Sequence, residues 1–209
     1  LQQMRGMAEG RRRGMRTVVF DPVRNFAGGK AKEWVPIIPG TDGVVALAMV
    51  NIILNELRIW DDVFIKTKTN GPYLVGPDQL YVRDKASNKP LVWDLDESIA
   101  KTWDDPSTKN VGIEGNFEVQ DTTCAPAFHL LREHVRKYTA EYASQVSSVP
   151  AATIRRVAEE FARAARIGST ISIRGKTFPY RPAAALSFRG VNGHKNAFNS
   201  LMAIHLLNL

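Results

Sequence analysis

The sequence predicts an α/β fold: an open, mostly parallel, Rossmann-like sheet with flanking helices and a small irregular β excursion. Short β-branched and aromatic runs alternate with helical patterns over most of the chain, which is typical of parallel sheets. Residues 73–120 interrupt this alternation with a polar, turn-rich stretch. The chain has 209 residues, 44% hydrophobic and 23% charged, which suits an ordinary globular protein with one large domain or two small ones.

Residues 1–72 predict a helix, two strands and two further helices. In chain order these are a helix over 3–13, the strand "TVVF", a loop or short helix in "VRNFAGGKAKE", the strand "WVPI", and helices over 43–57 and 58–70. The boundaries fall on residues that favour a break, namely Gly14, Asp21-Pro22, Pro39-Gly40 and Asn70-Gly71-Pro72. The longest apolar run, Val44 to Leu54, is shorter than the roughly 18 residues of a membrane span, so we interpret it as a buried helix.

The rest of the chain divides into an irregular excursion over 73–125 and a helical and α/β segment over 126–209. The excursion is expected to hold two short strands around a polar turn at Ser87-Asn88. Two amphipathic helices follow, with apolar faces formed by Phe128, Leu131 and Val135 and by Ile154, Val157, Phe161 and Ala165. "TISI" and "AALSFRG" are the last strand candidates, before the loop "RGVNGHKNA" and a closing helix.

The net charge of +7 is unevenly distributed. The balance is +5 over residues 1–35, −6 over 36–130 and +8 over 131–209. Two basic ends around an acidic middle suit an anionic ligand, although solvated helix faces explain the charge more simply. The basic stretch "GRRRGMR" lacks the aromatic residues that nucleic-acid-binding surfaces use, so nucleic acid is not an expected partner.

Cys124 is the only cysteine, which excludes an internal disulfide and a metal site built from several cysteines of this chain. Its small and apolar neighbours predict a buried thiol. His129 and His134 lie five residues apart, a poor fit to helical zinc ligands. His205 is predicted to be a packed core residue or a helix-face residue of the closing helix, and no Ser/His/Asp or Cys/His arrangement is supported by spacing. No metal ligand is therefore predicted from this chain.

Three loops fit the sheet edge at which α/β proteins bind ligands, beyond the carboxyl ends of the strands: 21–25, 40–42 and 189–195. Asp21 can accept hydrogen bonds from ribose hydroxyls, and Arg24 can contact a phosphate. Gly40 lets the backbone approach a ligand closely, since it has no Cβ. Asp42 can accept two hydrogen bonds from the N1–H and N2 amino edge of guanine.

Structural explanations compete with each of these roles. Asp-Pro after a strand is a common turn start, and Asp42 before an apolar helix suits an N-cap worth about 1 kcal/mol. Spacing alone favours capping. "AGGKA" does not match a phosphate-binding P-loop, and no GxGxxG follows a strand. The residues therefore support a nucleotide-binding α/β domain in which no catalytic group is recognisable.

Several segments together resemble the molybdopterin oxidoreductase family, also called the dimethyl sulfoxide reductase family. They are "RRGMRTVVFDPVRN", "AKEWVPIIPGTDGVVALAMVNIILNE", "IWDDVFIKTKTNGPYLV", "PAFHLLREHVRKYTAEYASQVSSVPAATIRRVAEEFARA" and "FRGVNGHKNAFNSLMAIHLLN". They occur in family order and cover nearly the whole chain. "DP.R" followed by "WVPI.PGTD" is the most specific part, and polysulfide- and thiosulfate-reductase-like members are the most similar.

The resemblance implies a bis(molybdopterin guanine dinucleotide) cofactor with molybdenum or tungsten, whose guanine end is bound by residues 1–72. The expected contacts are Asp21, Pro22, Arg24 and Asn25 in the first loop, Gly40, Thr41 and Asp42 in the second, and Arg189, Gly193 and His194 near the pterin and metal. Asp42 would recognise guanine. Gly193 stands where many relatives have a polar residue, so its contact is expected to be through the backbone.

The resemblance also implies an iron–sulfur cluster, held by four cysteines elsewhere in the full subunit, and a metal-ligating residue that this sequence lacks. We therefore expect a central fragment of a catalytic subunit that is inactive alone. Its expected partners are the remaining parts of its own polypeptide and an iron–sulfur electron-transfer subunit, together with a membrane anchor subunit. The alternative is a stand-alone nucleotide-binding α/β module without redox chemistry.

Overall fold

The computed structural model describes residues 2–209, with side chains from Arg5 onward. Leu1, which the predicted N-terminal helical pattern includes, lies outside the described residues. The chain divides into two compact units, each assembled from stretches far apart in sequence. Unit 1 comprises Leu1–Ile52, Tyr138–Phe161 and Ala183–Asn208, and unit 2 comprises Ile53–Lys137, Ala162–Pro182 and Leu209. The three sequential segments proposed from the sequence, and the cofactor role of residues 1–72, stay predictions.

The helices occupy most of the positions expected for them. They are α1 (Gln2–Arg12), α2 (Phe26–Lys30), α3 (Asp42–Asn51), a π-helix (Ile52–Leu57), α4 (Asp62–Lys68), α5 (Ala127–Val135), α6 (Ala140–Ser147), α7 (Ala151–Ala164), α8 (Arg189–Asn192) and α9 (Ala197–Leu206). The differences at two of the predicted helices have a local cause. The helix expected over 43–57 ends as a π-helix, and α4 begins late because the Asp61 carboxylate caps it by accepting a hydrogen bond from the Phe64 N–H (3.1 Å). No single helix among the described residues is long and apolar enough to cross a membrane.

The strands of the described residues are short and form four small sheets. They are β1 (Val18–Phe20), β2 (Glu33–Val35), β3 (Leu74–Val75), β4 (Leu91–Asp94), β5 (Ile99–Thr102), β6 (Phe117–Val119), β7 (Thr122–Pro126), β8 (Thr170–Ile173) and β9 (Lys176–Pro179). Among the described strands only β1 and β2 pair in parallel, with Val19 opposite Trp34. The mixed α/β class is confirmed, but these strands do not form one open parallel sheet.

Of the two strand candidates in residues 170–190, the first is confirmed as a strand and the second is wrong. "TISI" forms β8, but the chain turns back at Arg174 and Gly175 into β9 and makes an antiparallel hairpin. Both turn residues have positive φ, 51° and 76°, as a tight two-residue hairpin turn requires. "AALSFRG" has no regular structure before α8, so neither segment extends the parallel pair.

Unit 1 is built around α3, whose apolar residues Val45, Ala48 and Met49 are each at most 5% exposed. Helices α6 and α9 both pack against it. Ion pairs join Arg156 of α7 to Glu33 of β2, and Arg16 to both Glu33 (3.1 Å) and Glu160 (2.8 Å). These contacts hold the parallel strand pair against α7 within unit 1.

Unit 2 contains the β excursion, which has more strands than predicted. The turn at Ser87-Asn88 is present, since the Asp84 carboxylate accepts hydrogen bonds from the Ser87 N–H (2.7 Å) and hydroxyl (2.6 Å). The hairpins β4–β5 and β6–β7 were missed, because their strands mix polar and apolar residues. Cys124 is 2% exposed in a core with Leu74, Leu91 and Val119, and burial raises the pKa of its thiol.

The β4–β5 hairpin encloses an ion pair in which the side chains of Asp94 and Lys101 are 2% and 8% exposed. The Lys101 ammonium donates hydrogen bonds to Asp94 (2.8 Å), Glu97 (2.7 Å) and Ser107 (3.0 Å). The Lys101 hydrogen bond holds the pKa of Asp94 below its usual value. A buried pair with every proton satisfied rigidifies the hairpin.

Folding lowers the pKa of Asp94. The ionised carboxylate therefore contributes fully to the free energy of unfolding above about pH 4, and this contribution is lost as the pH falls through the pKa of Asp94 in the folded state. We expect Asp94→Asn to destabilise the chain at pH 7 and to reduce the loss of stability between pH 7 and pH 3. Urea unfolding followed by tryptophan fluorescence measures both. The control is Asp78→Asn, because the exposed Asp78 carboxylate accepts only one described hydrogen bond, from the Leu80 N–H (3.0 Å). An Asp94→Asn variant that keeps the wild-type pH dependence would contradict this account.

Candidate functional site

The parallel pair β1–β2 places two of the three predicted loops at one edge of unit 1. The Asp21 N–H donates to the Val35 carbonyl (3.2 Å), and the Trp34 indole N–H donates to the Asp21 carbonyl (2.9 Å). Because the two strands run in the same direction, the loop 21–25 and the segment leading to Gly40 both leave from their carboxyl ends. This is the placement that the sequence predicted.

The loop 21–25 is fixed by its own polar side chains. Asp21 accepts hydrogen bonds from the Val23 N–H (2.9 Å) and from the Asn25 side-chain amide (2.7 Å). Asn25 in turn caps α2 by accepting from the N–H groups of Ala27 (2.9 Å) and Gly28 (3.2 Å). Pro22 and Arg24 are exposed. The turn-forming role of Asp21 is therefore present, and a ligand role for this loop stays a prediction.

Gly40 belongs to a tight turn just before α3. The Thr41 N–H donates to the Ile38 carbonyl (3.3 Å), with Pro39 and Gly40 between them. Gly40 has φ +82°, so this turn has the residues and the positive φ of type II. The Thr41 hydroxyl donates to the same carbonyl (2.7 Å) and is thereby turned away from the helix.

The prediction that Asp42 caps α3 is wrong. The turn at Pro39-Gly40 puts Thr41 at the N-cap, and no side-chain capping bond forms there. Asp42 becomes the first helical residue and is half-buried. Its carboxylate makes no hydrogen bond or ion pair with any residue that the structure describes. The acceptor atoms of Asp42 are therefore available to a ligand.

Gly40 lies against His194, although the two are far apart in the chain. A Cβ built on Gly40 would be 3.8 Å from the His194 Cγ. The Nε2 atom of His194 is buried and finds no hydrogen-bond partner within residues 2–209. A buried imidazole nitrogen without a partner is costly, which points to a group that these residues do not supply.

A close helix crossing brings these loops together. A Cβ on Gly43, in the first turn of α3, would be 2.9 Å from the Ser200 Oγ and 3.1 Å from the Ser200 Cα of α9. The glycine therefore lets the two helix backbones approach, and Gly40 and His194 lie just before the two helices. The sequence reasoning missed both Gly43 and Ser200. Small residues near the start of two apolar helices were the available signal.

Arg189 and Gly193 occupy less defined positions. Part of the predicted loop forms α8, which Arg189 begins as an exposed residue. Gly193 has φ −86°, and a Cβ there would meet nothing closer than the Gly190 carbonyl oxygen at 3.7 Å. The local geometry of Gly193 therefore does not require glycine. Within the described part of the chain, no hydrogen bond joins Arg189 or Arg24 to Gly40 or His194.

The electrostatics of this region favour an anion with a hydrogen-bond donor edge. The N-terminal ends of α3 and α9 carry partial positive charge and unpaired N–H groups, which attract phosphates. Asp42 adds one carboxylate acceptor beside them. No group of three or more His, Cys, Asp or Glu among the described residues is arranged to hold a metal ion.

Comparisons with known proteins place the chain among molybdopterin enzymes, although no family model matches it. It is 33% identical to a sulfite dehydrogenase subunit of Allochromatium vinosum over 96% of this chain. It is 28% identical to the molybdopterin-containing subunit of the arsenate respiratory reductase of Chrysiogenes arsenatis over 92% of this chain. The matches span 23% and 17% of these relatives, so the chain covers about a fifth of their length.

Acetylene hydratase from Pelobacter acetylenicus is similar in structure, with a TM-score of 0.58 over 99% of this chain and 18% of that protein. At 19% identity, this likeness shows the fold alone.

Proposed function

We propose that this chain, which belongs to the molybdopterin oxidoreductase (dimethyl sulfoxide reductase) family, forms part of the catalytic subunit of a molybdenum or tungsten oxidoreductase. The complete subunit would transfer an oxygen atom, a hydroxyl group or a hydride equivalent to or from its substrate. This chain would position the cofactor and supply none of the metal ligands. A closer relation to polysulfide- and thiosulfate-reductase-like members stays a prediction.

The contact between Gly40 and His194 is the observation that carries this proposal. It joins two loops that the family resemblance assigns to one cofactor. Asp42 beside them has an unpaired carboxylate, and His194 has an unpaired buried nitrogen. These groups fit the donor and acceptor atoms of a guanine dinucleotide and a pterin.

We assign the guanine end of bis(molybdopterin guanine dinucleotide) to unit 1. Asp42 accepts hydrogen bonds from the guanine N1–H and N2 amino group, and adenine, which has an acceptor at N1, is disfavoured. The loop of Asp21, Pro22, Arg24 and Asn25 contacts ribose and phosphate. Gly40 and Thr41 bring backbone close to the ligand, while Arg189, Gly193 and His194 contact the pterin side.

When bound, the cofactor supplies the metal and the pterin electron reservoir for the redox step. The protein contributes orientation, charge and exclusion of water around it. We further propose that β1 and β2 are two strands of a larger parallel sheet completed by the rest of the subunit. Three further components would complete the enzyme: an iron–sulfur cluster elsewhere in the polypeptide, an iron–sulfur electron-transfer subunit, and a membrane anchor subunit.

Acid hydrolysis of the metal-loaded full-length subunit tests this function. We expect it to release molybdopterin and GMP, at about two of each per metal atom, as two dinucleotides bound to one metal require. Chromatography quantifies GMP, and mass spectrometry of the metal identifies molybdenum or tungsten. A fully loaded preparation without GMP would exclude the proposed cofactor.

A further inference from the structure

We propose that unit 2 carries an oxyanion site, a cleft that binds an anion of the phosphate or sulfate class. The cleft has a volume of about 480 Å³. Its charged and aromatic lining consists of Arg58, Trp60, Glu114, His129, Arg132, Glu133 and Arg136. None of these residues is among those assigned to the guanine dinucleotide.

Arg132 is the buried centre of this cleft, with 9% of the residue exposed. Asn55 makes two hydrogen bonds to Arg132. The Asn55 side-chain NH₂ donates to the Arg132 backbone carbonyl (2.9 Å), and the Asn55 side-chain oxygen accepts from the Arg132 Nε (3.3 Å). The Arg132 guanidinium carbon also lies 5.1 Å from the centroid of the Trp60 ring. Contacts on two sides fix the guanidinium, as expected for an arginine that recognises an anion.

Arg58 adds a second guanidinium in an uncommon backbone conformation. It has φ +54°, where residues other than glycine are strained, and it follows the π-helix directly. Strained residues and π-helical turns concentrate at functional sites. Arg58 is exposed and makes no hydrogen bond or ion pair with the residues that the structure describes. The fold thus places a cation at this cleft without giving it a partner.

His129 and Arg136 complete the basic lining from α5. They lie three residues before and four residues after Arg132, so all three side chains share one face of the helix. Basic residues at the end of a helix are favoured by its dipole, which explains Arg136 at the C-cap. The dipole does not explain the burial of Arg132 or the presence of Arg58 from another segment. Two separate segments therefore deliver positive charge to the same space.

The acidic residues of the cleft pair with two of its three arginines. Glu114, whose side chain is 45% exposed, pairs with Arg132, and Glu133 pairs with Arg136 (2.9 Å). Carboxylates thus satisfy two guanidiniums and leave Arg58 unmatched. A tetrahedral anion has enough oxygens to bridge Arg58 and Arg132 together. Glu114 would then compete with the anion for Arg132, since both need the same donor nitrogens.

Calorimetric titration of the full-length subunit with inorganic phosphate, at constant ionic strength, tests the site. We expect Arg58→Ala to weaken phosphate binding about tenfold, which is the effect of losing one charge-assisted hydrogen bond. Glu114→Gln is expected to strengthen it, because the competing charge is gone. The matched control is Arg174→Ala: Arg174 is also an exposed arginine of unit 2 with positive φ (51°), and it is not in the cleft.

Further arms of the same experiment decide the ligand class. Sulfate should compete with phosphate, and acetate should not compete at the same concentration. Three results would overturn the proposal: no saturable phosphate binding, equal losses in Arg58→Ala and Arg174→Ala, or competition by acetate as strong as by sulfate. The last result would assign the cleft to a carboxylate of a protein partner. Because the variants differ only in unit 2, their GMP content reports separately on the proposed function.

Discussion

Replacing Asp42 by alanine is expected to remove guanine dinucleotide from the full-length subunit while its folding stability stays almost unchanged. The proposed guanine edge would lose both hydrogen bonds to a carboxylate, and each such charge-assisted bond contributes about 1.5–3 kcal/mol. The loss in cofactor affinity should therefore exceed about a hundredfold. The free energy of unfolding should change little, because Asp42 makes no capping hydrogen bond in the structure. GMP released per mole of subunit, together with urea unfolding of cofactor-free protein, measures the two effects.

Asp62→Ala is the matched control for this variant. Asp62 is likewise the first residue of a helix, α4, and its one described ion pair is with Lys66 (2.9 Å) on the surface. An exposed pair of this kind contributes a few tenths of a kcal/mol. The Asp62→Ala subunit should therefore release as much GMP as the wild type. If Asp42→Ala kept GMP at the wild-type level, Asp42 would have no role in guanine recognition.

Gly43→Ala is expected to lower both stability and cofactor content. The added Cβ would lie 2.9 Å from the Ser200 Oγ and 3.1 Å from the Ser200 Cα, inside normal contact distance. Overpacking of this kind costs about 1–3 kcal/mol, while alanine recovers at most about 1 kcal/mol in helix propensity. Helix α3 must move away from α9, and this separates Gly40 from His194. Urea unfolding and GMP content should therefore fall together.

Two further variants distinguish the steric contact at Gly43 from the effect that a glycine-to-alanine change has in any helix. Gly29→Ala, in α2, places its Cβ where no atom lies within 4 Å, so it should be neutral or stabilising. Ser200→Ala combined with Gly43→Ala should restore only part of the stability, because the Ser200 Cα stays in place at 3.1 Å. A Gly43→Ala protein as stable and as well loaded as wild type would show that the close crossing does not organise the site.

The helices were predictable because local periodicity and breaking residues determine them. Helix α3 begins just after Pro39-Gly40, and Gly14 has the positive φ of a residue that ends a helix. The capping role of Asp42 was predicted wrongly, because the type II turn at Pro39-Gly40 puts Thr41 at the N-cap and makes Asp42 the first helical residue. Spacing alone does not reveal such a shift.

Pairing and burial between distant residues were much less predictable. The hairpin β8–β9 depends on a turn conformation at Arg174, a residue type that rarely has positive φ. Arg132 was expected only as part of an amphipathic helix. Its burial depends on Asn55 and Trp60, which lie far away in the sequence. Likewise, the meeting of Gly40 with His194 depends on the packing of α3 against α9.

A structure of the full-length subunit with its cofactor bound tests the central claim most directly, through the distances from the Asp42 carboxylate to guanine. We predict that its oxygens lie about 2.7–3.0 Å from guanine N1 and N2, with His194 beside the same cofactor. A guanine bound elsewhere, with the Asp42 carboxylate instead accepting from the first N–H groups of α3, would contradict the account.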